Sequence, residues 1–450
     1  MRLPRRRFLR NSALLTAASL CAPSIIRAQS LGSEKLRIAI IGAGGRGKAH
    51  VSGLQGEEIV AFCDIDDKRA AETFRKYPKV PRFKDYRVMF DKMGKQFDAV
   101  SIAIPDHMHY PVALWALAHG KHLLVEKPLV RTFEEALLIK QVSKEAGVIT
   151  QMGNQGHASD GLRVIQEWLA ADLIGEVQEA YHWTNRPIWP QGMADYNPVS
   201  AVPDGIDWNL WQGVAPQLPY REGIAPRNWR GYRDYGCGAI GDIACHSMDA
   251  SYTSLNLGFP VSVSANSTGM TAVAFPSRSS IDFKFLTPDQ RPIMVHWLDG
   301  GRMPSNVPHV PDEAYLGDGV DKKPVANGTF LVGTKGTIMC DMYCGKPMLF
   351  PEDYFTQLRA DRALPAKSRT RLKGGHFIEW VDCVKAGKQP GSNIAEYAAD
   401  FTATALLGTV ALMSDSTLDF NASTKSFVGN PQANALLKSQ YDYRTEFLPS

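Results

Sequence analysis

The chain has 450 residues, 44% of them hydrophobic and 21% charged, which is ordinary globular composition and enough for two domains with real cores. Its formal charge of +4 belongs to the first 28 residues, where six arginines (Arg2, Arg5, Arg6, Arg7, Arg10, Arg27) stand without an acid, so the remainder carries about −2. That balance excludes a basic surface for nucleic acid, and the absence of a repeat, a low-complexity tract or a long apolar run argues against a solenoid or a stable membrane span.

Arg5-Arg6-Arg7-Phe8-Leu9-Arg10, a weakly apolar segment over 12–26 and then Arg27-Ala28 follow the order and spacing of a twin-arginine export signal. Residues 1–28 are therefore expected to be a signal peptide, the protein periplasmic or otherwise exported, and the export machinery a partner. Cys21 follows Leu20, which argues against a lipoprotein anchor. Six cysteines remain (Cys63, Cys237, Cys245, Cys340, Cys344, Cys383) in no zinc-like spacing, so buried thiols are expected and no metal site. Cys340 and Cys344, four apart on one predicted strand, share a face; this leaves a late disulfide open but not favoured.

The apolar run over 35–47 ends in Gly42-Ala43-Gly44-Gly45-Arg46-Gly47. Gly42 suits the tight turn out of a strand, Gly44 lets backbone approach a pyrophosphate, and Gly47 lets the next helix pack on the sheet. A second strand over 58–63 closes on Asp64, where a dinucleotide fold places an acid for the ribose hydroxyls; an acid there repels a 2′-phosphate and favours NAD over NADP. Helices over 48–54, 66–76, 86–92, 111–119 and 132–146 alternate with strands over 97–104, 122–125 and 148–152, the pattern of a doubly wound parallel sheet. Pro105-Asp106-His107-Met108-His109 and Glu126-Lys127-Pro128 follow two of those strands at their C-terminal ends, where open α/β sheets bind ligands. Gly42, Gly44, Gly45, Arg46, Gly47, Asp64, Pro105, His109, Glu126 and Lys127 are thus the cofactor-binding candidates, and Pro128 suggests a cis peptide beneath the lysine.

These segments together resemble the Gfo/Idh/MocA family, named for glucose-fructose oxidoreductase, inositol dehydrogenase and the rhizopine protein MocA, over nearly the whole mature chain. The resemblance implies a Rossmann domain over 35–152 and an α+β domain with an open, mostly antiparallel sheet over 153–425, followed by a tail over 426–450 that packs on the body. It also implies a homo-oligomer.

Gly153-Asn154-Gln155-Gly156-His157 marks the domain junction, a usual place for a polyol to meet both halves of an enzyme. After a helix over 160–171 and a strand over 177–184, five of the nine tryptophans (Trp183, Trp189, Trp208, Trp211, Trp229) fall in a Pro-rich, loop-like stretch that suits a carbohydrate cleft as much as a sealed loop. Asn154, His157, Trp183, Arg186, Trp189 and Asp249 are the substrate-binding candidates. Asp242 and His246, four apart, share a helix face, with Asp249 one turn beyond. A carboxylate beside an imidazole would raise its pKa and fix its tautomer, which suits a general acid/base. The resemblance assigns Lys127, Asp242 and His246 as the catalytic set. Strands over 261–266, 280–286, 292–298, 329–332 and 337–340, a long mobile loop over 300–327, and helices over 376–385 and 394–413 complete the reading.

The expected function is an exported oxidoreductase that passes a hydride between a sugar or polyol hydroxyl and tightly bound NAD. Mild acidity and no visible arginine cluster point to a neutral substrate. A redox-neutral, NAD-dependent glycoside hydrolase that works through a transient keto-sugar is the second reading, and a non-catalytic sugar sensor the third.

Overall fold

Alternating short strands and amphipathic helices build the first half around one parallel sheet. Residues 34–287, 289–316, 325–414 and 416–449 are described by the computed structural model; the arginine-rich leader lies outside the described residues. The elements are β1 (Arg37–Ile41), α1 (Gly47–Gly53), β2 (Glu58–Cys63), α2 (Asp67–Lys76), β3 (Arg82–Phe83), α3 (Tyr86–Met93), β4 (Ala99–Ile102), α4 (His109–Ala118), β5 (His122–Val125), α5 (Phe133–Ala146) and β6 (Thr150–Met152). The strands lie in the order β3-β2-β1-β4-β5-β6, every adjacent pair parallel. That order reverses beside β1, so the crevice expected at such a switch point opens at the ends of β1 and β4. Side-chain caps set the helix starts: Asp66 accepts from the Arg69 N–H at 2.9 Å, and Thr132 with Glu135 forms a capping box at α5.

The second half comprises α6 (Asp160–Ala170), β7 (Val177–Thr184), α7 (Trp208–Gln212), α8 (Gly238–Ser247), α9 (Asp249–Ser254), β8 (Ser262–Ser267), β9 (Ser279–Leu286), β10 (Pro292–Leu298), β11 (Asn327–Gly333), β12 (Thr337–Cys340), β13 (Met348–Phe350), α10 (Glu352–Ala360), α11 (Gly375–Ala386), α12 (Ala399–Ser414), β14 (Leu418–Asn421) and β15 (Ser426–Phe427). Its nine strands run β13-β12-β11-β7-β10-β9-β8-β14-β15, with β7 and β10 parallel and the other pairs antiparallel. This is the α/β class expected, a doubly wound sheet joined to an open, mostly antiparallel one. Alternate residues Ile281, Phe283, Phe285 and Ile293, Val295, Trp297 turn to one buried face. There α12 approaches so closely that a Cβ on Gly408 would stand 2.6 Å from Ile240 and 3.0 Å from Phe283.

Three local expectations change. Helix α11, placed in the second domain on sequence order, packs Trp380, Val381 and Val384 into the first sheet's core with Ile38 and Ile40 of β1, Ala99 of β4 and Leu124 of β5, beside Val51 and Leu54 of α1. Cys344 lies in a turn at φ 58° beyond β12, so it does not share a strand face with Cys340; all six described cysteines are free thiols. The described part of the loop expected to be mobile is packed, with Val307, Val310 and Tyr315 against Trp183 and Phe330. Near the C-terminus the Phe447 carbonyl accepts from Tyr86 Oη at 2.5 Å and Trp115 Nε1 at 3.1 Å. Among the described residues no helix is long and apolar enough to cross a membrane.

Candidate active site

The glycine turn works by close approach. Gly42 has φ +85°, and a Cβ there would lie 2.2 Å from the Ala103 carbonyl oxygen; a Cβ on Gly47 would lie 1.7 Å from the Gly42 carbonyl oxygen. Asp64 returns to this turn from the end of β2, accepting from the Ala43 N–H at 2.8 Å, the Gly44 N–H at 3.0 Å and the Asp66 N–H at 3.0 Å. Burial raises its carboxyl despite those donors. The Arg69 side chain lies across Gly44 and Gly45.

A crevice of about 350 Å³ runs from Gly42, Gly44, Arg46 and Asp64, past Pro105 and Glu126, to Lys127, Arg186, Asp242 and His246. Of the expected cofactor set, Gly45, Gly47 and His109 do not line it. Gly47 is spent on packing against Gly42, and His109 braces two loops, its ring nitrogens 2.8 Å from the Ile104 carbonyl and 2.7 Å from the Pro128 carbonyl. Glu126 is anchored by His50 Nε2 at 2.9 Å and Arg46 Nε at 2.7 Å. Burial would raise its carboxyl, but the His50 hydrogen bond and the neighbouring positive charge hold it well below the ordinary range.

At the far end Lys127, on a cis Lys127–Pro128 peptide, donates to Asp242 Oδ1 at 2.9 Å and to the Asp242 carbonyl at 2.6 Å. Arg230 Nε donates to the same carboxylate at 3.1 Å, and Arg186 Nε lies 3.7 Å from it. Burial opposes ionisation of Asp242; Lys127 and then Arg230 outweigh it and hold the carboxyl well below the carboxylate range.

His246 does lie on the same helix face and in the crevice, but no hydrogen bond joins it to Asp242, contrary to the expected orientation. Its Nδ1 is buried and unpartnered, its ring meets Tyr343 edge-on at 4.9 Å, and burial with the nearby Lys127 charge lowers its pKa to about 3, the opposite of the expected rise.

Four substrate candidates sit elsewhere. Asp249 is fully buried behind the crevice and accepts from Asn154 Nδ2 at 3.0 Å, His157 Nδ1 at 3.0 Å, Thr253 Oγ1 at 2.6 Å and Tyr397 Oη at 2.6 Å. With its carboxylate taken up by these donors, Asp249 does not join Asp242 and His246 in lining the crevice. Asp249→Ala would leave these donors unpaired and is expected to cost about 3–5 kcal/mol of stability, read by denaturant unfolding; an unchanged midpoint would contradict this structural role. Trp183 is fully buried, donating from its indole to the Val325 carbonyl at 2.8 Å and stacking on Phe330 at 4.8 Å. Arg186 alone of that set lines the crevice; Trp189 is half-buried beside Arg230, 5.9 Å from its guanidinium.

The tryptophan-rich stretch lies against the end of β2 and does not form a separate cleft of its own. It crosses the crevice as a strap: Ile206 pairs with Asp66, the Asp207 N–H donates to the Ile65 carbonyl at 3.2 Å, and Leu210, Trp211, Pro226 and Trp229 line the wall facing Asp64 and Arg69. Trp208 and Trp211 stack at 4.7 Å, and His107 fastens the strap to the first domain through Nε2, 2.9 Å from the Trp211 carbonyl. The bland reading of sealed tryptophans therefore holds for Trp183 and Trp208. Sequence reasoning missed His50, Arg230 and Tyr343, and overlooked that Arg46, Arg69, Arg186 and Arg230 all line the crevice. These come from separate segments, so no spacing links them.

A switch-point crevice with a glycine turn at one end and an ionised Lys–Asp cluster at the other defines a two-domain, dinucleotide-binding protein of the dehydrogenase type. Sequence profiles sharpen this. Residues 36–154 match the Gfo/Idh/MocA oxidoreductase family's NAD-binding Rossmann fold and residues 166–295 its C-terminal α/β domain, so the chain belongs to the Gfo/Idh/MocA family. Levoglucosan dehydrogenase of Pseudarthrobacter phenanthrenivorans is 24% identical over 48% of this chain and 50% of its own length. Inositol 2-dehydrogenase of Rubrobacter xylanophilus is 27% identical over 40% and 52%, and an alpha-N-acetylgalactosaminidase of Tannerella forsythia 32% identical over 31% and 33%. The chain thus spans about half or less of these curated relatives. The WlbA dehydrogenase of Bordetella pertussis, solved with NADH and UDP-GlcNAcA, shares the fold over 87% of this chain and 99% of its own, with TM-score 0.59 at 14% identity.

Proposed function

We propose that the protein is an exported oxidoreductase that oxidises a sugar or polyol hydroxyl using an NAD held in the crevice for many turnovers. The observation that carries this is Lys127: two of the three donors of its ammonium are engaged by Asp242, which leaves the third for a substrate hydroxyl oxygen. Bound NAD supplies the hydride acceptor. Lys127 polarises the hydroxyl, Lys127 and Arg230 keep the Asp242 carboxylate ionised, that carboxylate in turn holds Lys127 in place, and His246 takes the hydroxyl proton. With Nδ1 sealed in the interior, Nε2 is the nitrogen available to do so. Loss of that proton and of a hydride from the carbinol carbon leaves the carbonyl, which balances the oxidation. The glycine cradle, Asp64 and the strap fit the dinucleotide, and the strap supports retention through export.

Export rests on the twin-arginine leader, and a homo-oligomer on family resemblance. A retained cofactor must be reoxidised in place, by a second sugar or within one redox-neutral cycle. The likeness to the T. forsythia alpha-N-acetylgalactosaminidase favours keeping the cleavage reading as the second. Nicotinamide absorbance of the purified protein tests both. Reduction by one sugar and recovery with another supports oxidoreduction; aglycone release with no net change supports cleavage; an unaltered spectrum with every sugar and no release supports a sensor. Because His246 is protonated only below about pH 3, hydride transfer is expected to show no acid limb from His246 between about pH 8 and about pH 5. A break near the ordinary imidazole pKa, abolished in His246→Gln, would overturn its placement as a buried neutral base.

A further inference from the structure

The substrate end of the crevice holds more positive than negative charge. Lys127, Arg186 and Arg230 converge on the single carboxylate of Asp242. Of the other acids lining this end, Asp106 is pushed by burial toward its neutral form, and even when ionised it leaves a cation in excess. Glu126 is already paired with Arg46 and His50.

The two guanidiniums are also underused. Arg230 spends Nε on Asp242 and lies over Trp229 at 4.2 Å; among the described residues its terminal nitrogens have no hydrogen-bond partner. Arg186 spends Nη1 on Asn185 Oδ1 at 2.6 Å and reaches Asp242 only at 3.7 Å. Their side chains are 21% and 30% exposed, and both line the crevice. A planar fork with paired donors matches a carboxylate or a phosphate, whereas a neutral hydroxyl uses one donor and leaves the charge uncompensated.

We propose that the substrate is an anionic sugar, whose carboxylate or phosphate is taken by Arg186 and Arg230 while the hydroxyl to be oxidised faces Lys127 and His246. This rests on the oxidoreductase reading above and replaces the neutral substrate expected from overall charge. Net charge averages the surface; the local excess is created by three side chains from three segments.

The test titrates NAD-loaded protein with glucuronate, glucose 6-phosphate and glucose, following tryptophan fluorescence for binding (Trp189 and Trp229 flank Arg230) and nicotinamide absorbance for hydride transfer. At least one of the anionic sugars is expected to bind at least about tenfold more tightly than glucose, and added salt and the Arg186→Met and Arg230→Met variants are expected to erase the difference. The carboxylate and phosphate arms identify which anion is preferred. Glucose that binds and reduces NAD as well as either anion overturns the proposal and leaves the oxidoreductase reading standing. An anionic sugar that binds without reducing NAD supports the anion site and counts against the oxidoreductase. Saturable binding of none of the three overturns it. The salt dependence is measured on the unmutated protein, so a variant that fails to fold does not blunt the test.

Discussion

Lys127→Ala is expected to lower single-turnover reduction of bound NAD by about a hundredfold or more, the range for removing one donor that steadies charge developing on an oxygen, while the dinucleotide stays bound. The structure separates these two effects. Lys127 stands at the Asp242 end of the crevice, whereas Gly42, Gly44 and Asp64 stand at the other. Removing the ammonium still leaves Asp242 paired with Arg230 at 3.1 Å and Arg186 at 3.7 Å, so no buried carboxylate is stranded and the fold is expected to persist. Retained full turnover would remove Lys127 from the chemistry. Loss of bound NAD along with activity would mean that it holds the cofactor instead. Lys127→Arg is expected to rescue little, since a guanidinium cannot donate along the ammonium's lines to Asp242 and to a hydroxyl at once.

Gly47→Ala is expected to abolish stable dinucleotide binding and to cost about 4 kcal/mol or more of stability, at the exceptional end for one methyl group. The new Cβ would stand 1.7 Å from the Gly42 carbonyl oxygen, a backbone atom that no rotamer change can move. Either α1 shifts away from β1 or the turn opens, and both spoil the cradle. Thermal unfolding and the NAD content of purified protein read the outcome. Native stability with full NAD content would show that the turn tolerates a side chain there. Gly120→Ala is a useful contrast: although its φ is +64°, a Cβ meets nothing within 4 Å. It is expected to cost only the left-handed backbone penalty, of order 1 kcal/mol.

Much of this architecture is legible in the amino-acid order because it is written in short-range terms. The strand, glycine turn and acid at 38–64 carry their geometry locally, since glycine alone fits where backbone meets backbone and alternating apolar segments must bury themselves as a parallel sheet. Lys127 and its cis Pro128 could be placed at a strand end for the same reason. The helical spacing of Asp242 and His246 likewise put both in one crevice.

What that spacing could not decide is which partner each would take. A helix face sets proximity within one segment, but ion pairing follows charge and burial across segments. The ammonium of Lys127 and the guanidinium of Arg230 outcompete a neutral imidazole for the Asp242 carboxylate, and burial with the nearby Lys127 charge leaves His246 unionised. Asp249 fell away from the site because its carboxylate is taken by His157 and Tyr397, which come from other segments. The strap, the packing of α11 on the first sheet and the gathering of four arginines are tertiary facts of the same kind. The sequence by itself determined a dinucleotide fold and the place of Lys127 at a strand end; only the three-dimensional packing decided how its charges pair, because those pairs join residues that lie far apart along the chain.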